Sequence, residues 1–374
     1  MPLLNIQLSF LANIPVCPVK MALGRYLATI LNSFNKFILV NFNSRQIFIL
    51  VIDQASVLIK ININLMSVFK FLSAVLSVAI CWVVTTSSVH AQKEPTPAAT
   101  NKLEKSLLWK ITGKGIKPSY LFGTIHIIGA SDYLWTPAMS KALKKTDKLV
   151  TEIDMSKQLS MAMEMMQLAP MKEDKKLEDL MSKEDYALVK KYFTEDSKSA
   201  EAKMTFGFAQ TWQPMLLMSL LYPEMIDGPV KMYEMELTKL AKEEEMEFGG
   251  LETVQDQMSV FHTIPYEKQA ETLVEAVKDL QSGEGKMLAD LQKMTKHYKA
   301  QDVDGLLEAM GEEMDEMDNQ EAMLDGRNKK WIPLIIANSK KKRTFYAVGA
   351  GHLGGQMGVI RLLRKAGYKV TPVQ

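Results

Sequence analysis

Ser119-Tyr-Leu-Phe-Gly-Thr-Ile-His126 is an apolar, aromatic run that breaks at a glycine and reaches a histidine three residues later, and Thr344-Phe-Tyr-Ala-Val-Gly-Ala-Gly-His352 repeats the plan. Short runs rich in aromatic and apolar residues that stop at glycine read as buried strands. A helix signal follows each one. Thr136 caps and Pro137 opens a helix to about Thr146, and Gln356 to Lys365 is closed by Gly367. A second strand follows each helix, Lys148–Asp154 in one case and Tyr368–Val373 in the other. In the first unit the two strands are expected side by side and parallel. Leu107–Thr112 alternates and turns at Gly113-Lys-Gly115, so it pairs with 119–122 as a hairpin. The pattern implies a fold of the α+β or α/β class. Its central sheet comes from two pseudo-symmetric strand-helix-strand units carrying Gly-x-x-His, with a large helical insertion between them.

The insertion spans about 155–245 and 265–325. Its methionines, among them Met161, Met163, Met165, Met166, Met215, Met218, Met225, Met232 and Met235, fall mostly at helical spacing rather than in Met-x-Met pairs. That spacing favours core packing over soft-metal binding. Lys231–Glu245 reads as a helix and Met246–Gly250 as a strand that ends at Leu251-Glu252-Thr253. Lys340-Lys-Lys-Arg343 complements the dipole at the end of a helix from Trp331 to Asn338.

The 374 residues are 47% hydrophobic and 24% charged with net charge +2, a balance that excludes a disordered chain and gives no basic face for nucleic acid. Two cysteines exclude a disulfide framework and a Cys-rich zinc site. Residues 1–91 differ from the rest. Met66 to Lys70 is a short basic start, Phe71 to Val84 an apolar run, and Val89-His-Ala91 a small-residue end. This is the layout of a signal peptide cleaved after Ala91, and it points to a periplasmic or secreted product. The run is short of the ~20 residues that span a bilayer, so any membrane attachment would come only from an uncleaved signal segment. The chain therefore divides into 1–65, an upstream mistranslation or a disordered or apolar extension; 66–91, the signal; 92–106, a polar tether; and 107–374, the domain.

A parallel sheet binds ligands at the carboxyl ends of its strands. His126, Glu152, Glu252 and His352 all fall at such ends. Two imidazoles and two carboxylates suit a divalent ion such as Zn²⁺, Mn²⁺, Fe²⁺ or Co²⁺ with a position left for water. Gly349-x-Gly351-x-x-Gly354 matches a dinucleotide fingerprint, but position 369, where an acidic residue belongs, is lysine. Neither a phosphate-binding loop nor a Gly-x-Ser-x-Gly elbow occurs.

Trp109-Lys-Ile, Ser119–His126, Glu152, Gly250-Leu-Glu252-Thr, Arg327-Asn328 with Trp331, and Ala347-Val-Gly-Ala-Gly-His-Leu353 together resemble the TraB/GumN family. That family is similar to the Tiki metalloproteases and, in fold, to the erythromycin-esterase and ChaN-like proteins. The resemblance implies an active site containing His126, His352 and Glu152 as metal ligands, with Glu152, Glu252 and Arg327 as candidate catalytic groups. The function it implies is a metal-dependent hydrolase acting on a peptide or small-molecule substrate. The alternative is a non-catalytic protein of the same fold that sequesters a peptide or haem.

Overall fold

The computed structural model describes residues 102–374 apart from Glu284 and 315–319, together with the backbone of three strands nearer the N-terminus. Those strands, β1 (Phe37–Asn43), β2 (Gln46–Ile52) and β3 (Leu58–Asn64), form an antiparallel sheet in sequence order. The signal segment read at 66–91 lies outside the described residues, as does the tether up to Asn101. No helix among the described residues is long and apolar enough to cross a membrane.

The larger unit is mixed α/β. Its central sheet takes β4 (Leu108–Thr112), β5 (Ser119–Thr124), β7 (Lys148–Thr151), β9 (Glu247–Gly250), β10 (Thr344–Gly349) and β11 (Lys369–Pro372) in the order β11-β4-β5-β10-β7-β9. The strands β5, β10, β7 and β9 run parallel, and β4 is antiparallel to both its neighbours. Two short strands, β6 (Ile128–Gly129) and β8 (Val230–Lys231), pair separately. Every residue of β5 is buried, and only the last of β10 is not. Such continuous burial belongs to strands covered on both faces.

One expectation fails. The strands β5 and β7 are not neighbours, because β10 lies between them. Nor are β10 and β11 neighbours, because β5 and β4 lie between them. The physical reason lies in the side chains. Thr344-Phe-Tyr-Ala-Val carries no charge and takes the central place, while β7 begins with the half-buried Lys148 and sits further out. The C-terminal helix is also shorter than its sequence suggests, starting at Val359 after turns over 353–358.

Helices cover the sheet. Those that matter for the site are α1 (Pro137–Lys144), α2 (Tyr233–Glu243), α3 (Val254–Phe261), α4 (Tyr266–Ser282), α5 (Lys286–Lys299), α6 (Val303–Met314), α7 (Gly326–Lys341) and α8 (Val359–Lys365). Thr136 caps α1 by accepting from the Met139 amide. Of the nine methionines named above, Met161, Met165, Met215 and Met218 are buried in the core, Met163, Met225, Met232 and Met235 are half-buried, and Met166 is exposed, so the core-packing reading holds for part of the set. An aromatic cluster fixes the start of α2 against the sheet: the Phe122 ring lies 5.6 Å from Tyr233 and 6.0 Å from Phe345. The Tyr298 hydroxyl of α5 donates to the Gly123 carbonyl at 3.0 Å, tying that helix to the end of β5.

Asp304 of α6 clamps the N-terminal edge. Its carboxylate accepts from the amides of Leu103 (2.7 Å) and Gly355 (2.9 Å) and from Nη1 and Nη2 of Arg361. Burial alone would raise its pKa, but Arg361 and the two amides bring it down from 3.8 to about 2. A depressed carboxyl stabilises the fold above its unfolded pKa, and that stability is lost as pH falls through the folded value. Denaturant midpoints of wild type and Asp304→Asn should therefore differ most above pH 4 and converge towards pH 2. A difference independent of pH would show that the clamp does not work through its charge.

Candidate active site

Parallel strands deliver their ends to one edge of the sheet. His126 follows β5 by two residues, Glu152 follows β7 directly, Glu252 follows β9 by two, and His352 follows β10 by three. Glu152, Glu252 and His352 are joined there by Arg327 from α7, and His126, held by Glu234, lines a small cavity with Glu152 beside them.

Arg327 is the hub. Its Nη2 donates to Glu152 Oε2 and Glu252 Oε1, each at 2.6 Å, and its Nε donates to Glu252 Oε2 at 3.0 Å. Its Nη1 donates to the Met323 carbonyl at 2.9 Å and faces His352 Nε2 at 3.1 Å. The guanidinium can only donate, so His352 Nε2 accepts. The ring's Nδ1, 2.6 Å from Asn328 Oδ1, then carries the proton. Burial first, and Arg327 next, push the His352 pKa down to about 3, so this imidazole is neutral with its Nε2 lone pair turned towards the cluster.

The two carboxylates differ because their donors differ. Glu152 also accepts from the Gly349 amide (2.7 Å) and from Gln257 Nε2 (2.9 Å). Burial opposes its ionisation, but Arg327, both histidines and the Gly349 amide hold its pKa at about 2. Glu252 has the fork of Arg327 and Trp331 Nε1 at 3.2 Å. For Glu252, burial outweighs Arg327, and the neighbouring Glu152 charge adds to it, so its pKa lies above the usual carboxylate value.

His126 is 6% exposed, with Nδ1 2.9 Å from Glu234 Oε1. Burial would lower its pKa, but the Glu234 and Glu152 carboxylates outweigh that effect and raise it.

Gly349 marks the centre. Its φ of −51° and ψ of 135° suit any residue, so the glycine is not there for its backbone. A Cβ at this position would lie 3.3 Å from Glu152 Oε1, 3.6 Å from His352 Cδ2 and 3.8 Å from His126 Nε2. Glycine leaves open the space that these three side chains share. A cavity of about 30 Å³ opens beside it, lined by His126, Gly349, His352, Met294, Met310 and Leu324.

The donor chemistry fits a divalent cation. Each imidazole is held through Nδ1 by a side-chain oxygen, as metal-ligating histidines are, and Glu152 is ionised. As the side chains stand, no three acidic, histidine or cysteine residues among the described ones form a ready ion cage. Arg327 engages His352 Nε2 and balances the carboxylates.

Three residues of the cluster escape the sequence reading as site groups: Glu234, Gln257 and Asn328. Glu234 carries a legible signal. The buried residues of α2 are Tyr233, Glu234, Leu237, Thr238 and Ala241, so this carboxylate sits on the helix's inward stripe. Gln257 likewise occupies a buried position of α3 between Val254 and Met258.

The profile of the TraB/PrgY/gumN family matches residues 107–372, and the chain belongs to that family. Metalloprotease TIKI1 of Danio rerio is 21% identical over 343 residues, which are 78% of this chain and 68% of the relative. Metalloprotease TIKI2 of Xenopus tropicalis is 22% identical over 314 residues, 71% of this chain and 59% of the relative. Metalloprotease TIKI1 of Xenopus tropicalis is 21% identical over 339 residues, 77% of this chain and 66% of the relative. The chain thus spans about three fifths to two thirds of the length of these relatives. No solved structure matches.

Removing one partner of a buried ion cluster leaves uncompensated charge, which costs about 3–5 kcal/mol. Arg327→Ala should lose stability on that scale in chemical denaturation. Arg343→Ala, which breaks the exposed pair with Asp147, should change it far less. Equal losses would show that the Arg327 cluster does not support the fold.

Proposed function

We propose that this member of the TraB/PrgY/gumN family is a metal-dependent hydrolase whose substrates are peptides. The observation that carries the reading is the convergence of His126 Nε2, Glu152 Oε1 and the His352 ring on the open side of Gly349. Two imidazoles, with His126 deprotonated and His352 Nε2 released by Arg327, and one ionised carboxylate would form a ligand set for Zn, Mn, Fe or Co. The shared strand-Gly-x-x-His plan at β5 and β10 supports treating the two histidines as an equivalent pair. The names of the distant relatives support the reaction class.

In this reading His126, Glu152 and His352 hold the ion. A divalent cation supplies Lewis acidity that makes water acidic enough to act as a nucleophile near neutral pH. The chain's own residues do the rest. Glu234 and Asn328 hold the imidazole rings through Nδ1. With His352 Nε2 given to the ion, the Arg327 fork would have one Nη1–H free to meet the negative charge that develops on the substrate carbonyl oxygen. Glu252 orients that fork with both its oxygens, and its raised pKa makes it the proton acceptor among the carboxylates. Met294, Met310 and Leu324 exclude bulk water from one side of the cluster. The signal-like segment at 66–91 supports a periplasmic or secreted site of action.

Two variants test the roles. Glu152→Gln keeps the shape and removes the charge of a direct ligand, so metal affinity should fall by more than the about 10- to 100-fold that losing an outer partner costs, and hydrolysis with it. Arg327→Lys should retain metal but lower turnover, because a point charge replaces a two-pronged donor. Bound metal and cleavage of a peptide library are measured with and without chelator. Undiminished, chelator-resistant cleavage by Glu152→Gln would overturn the mechanism. Metal-loaded wild type that binds peptides without cutting any would favour the sequestering alternative.

A further inference from the structure

Glu234 lies outside every sequence motif of the site, yet it is a carboxylate buried at the start of α2, 7% exposed. Oε1 accepts from Thr124 Oγ1 at 3.0 Å and meets His126 Nδ1 at 2.9 Å. Oε2 is buried with no hydrogen-bond partner among the described residues. The side chain also lines a cavity of about 20 Å³ shared with His126, Glu152 and Gln257.

Stability does not call for an acid here. The inward positions of α2 on either side are Tyr233, Leu237, Thr238 and Ala241, and an apolar side chain in that stripe would avoid desolvating a carboxylate, which costs several kcal/mol when imperfectly paired. What the carboxylate does is accept at one ring nitrogen of His126. In the neutral ring, an acceptor at Nδ1 keeps the proton on that nitrogen and leaves Nε2 bare. Nε2 is the nitrogen that faces the open side of Gly349, 3.8 Å from the Cβ position. The start of α2 is itself fixed, since Tyr233 packs on Phe122 and exchanges hydrogen bonds with the Leu134 backbone at 2.9 Å.

We infer that Glu234 is the positioning residue of the site, the group that selects which nitrogen of His126 is offered to a ligand. The inference rests on His126 being a donor of the proposed hydrolytic centre. The histidine side chain in water favours the proton on Nε2, so a proton held on Nδ1 is a signature of Glu234 and not of the fold at large. Asn328 plays the matching part at His352, where Oδ1 meets Nδ1 at 2.6 Å, but there Arg327 already dictates the tautomer from the Nε2 side. At His126 that choice falls to Glu234.

The test uses the full chain with ¹⁵N-labelled histidine, stripped of metal, at an alkaline pH where each ring carries one proton. The His126 signals are identified by their loss in His126→Gln. Long-range ¹H–¹⁵N correlation reads which nitrogen is protonated, and Zn²⁺ titration of the same samples reads affinity. Wild type should show Nδ1–H. Glu234→Gln, whose amide oxygen still accepts, should keep that tautomer. Glu234→Ala should turn to Nε2–H and bind Zn²⁺ about 10- to 100-fold more weakly. Nε2–H in wild type, or Nδ1–H surviving in Glu234→Ala, would overturn the assignment; the wild-type spectrum alone decides if the alanine variant does not fold. The expected tautomers with no Zn²⁺ binding by wild type would uphold the positioning role and sink the metal-dependent reading instead.

Discussion

One buried guanidinium sets the terms for the rest of this domain. Arg327 balances two carboxylates from two different strand ends, Glu152 after β7 and Glu252 after β9, and donates to the histidine that follows β10. Taking three charges out of water is costly, and the cost is offset only when geometry is tight and the remaining lone pairs are matched. Here they are: the Gly349 amide, Gln257 and Trp331 supply the missing donors. The cluster therefore demands that β7, β9, β10 and α7 keep their mutual register.

That demand explains why the sheet is parallel where the site lies. Strands running the same way bring their carboxyl ends to one edge, and the side chains just beyond them can meet although their positions in sequence are far apart. The antiparallel β4 and the outlying β11 contribute no residue to this cluster. They complete the sheet on the far side of β5, where the Val373 amide donates to the Leu108 carbonyl and Trp109 is buried.

Much of this is legible in the sequence. Ser119–Thr124 and Thr344–Gly349 declare themselves because strands covered on both faces must be apolar throughout, and Thr136-Pro137 and Gly367 punctuate their helices by local chemistry. Gly367 adopts a φ of 89° past the end of α8. The lateral order of the strands is not legible, because nothing local in Lys148–Thr151 says that β10 will lie between it and β5. Glu152, Glu252 and Arg327 can be singled out as candidates, but their mutual pairing depends on that order. Glu234 is hidden for another reason. It belongs to a segment rich in glutamates, and only its phase on the inward stripe of α2 separates it from the solvated ones. Asn328 stands next to Arg327 in the quoted motif, yet its job of holding His352 Nδ1 appears only once α7 and the end of β10 are brought together.

The central claim is that His126, Glu152 and His352 share one open space at Gly349, and that this space is where a divalent ion is held. A single methyl group tests it most directly. Gly349→Ala introduces no backbone strain at φ −51°, but it places a Cβ 3.3 Å from Glu152 Oε1 and within 4 Å of both imidazoles. Calorimetric Zn²⁺ titration of the folded variant against wild type is the measurement. The account predicts that wild type binds and that the alanine variant, with its unfolding midpoint little changed, does not. Equal Zn²⁺ affinity in the two proteins would contradict it.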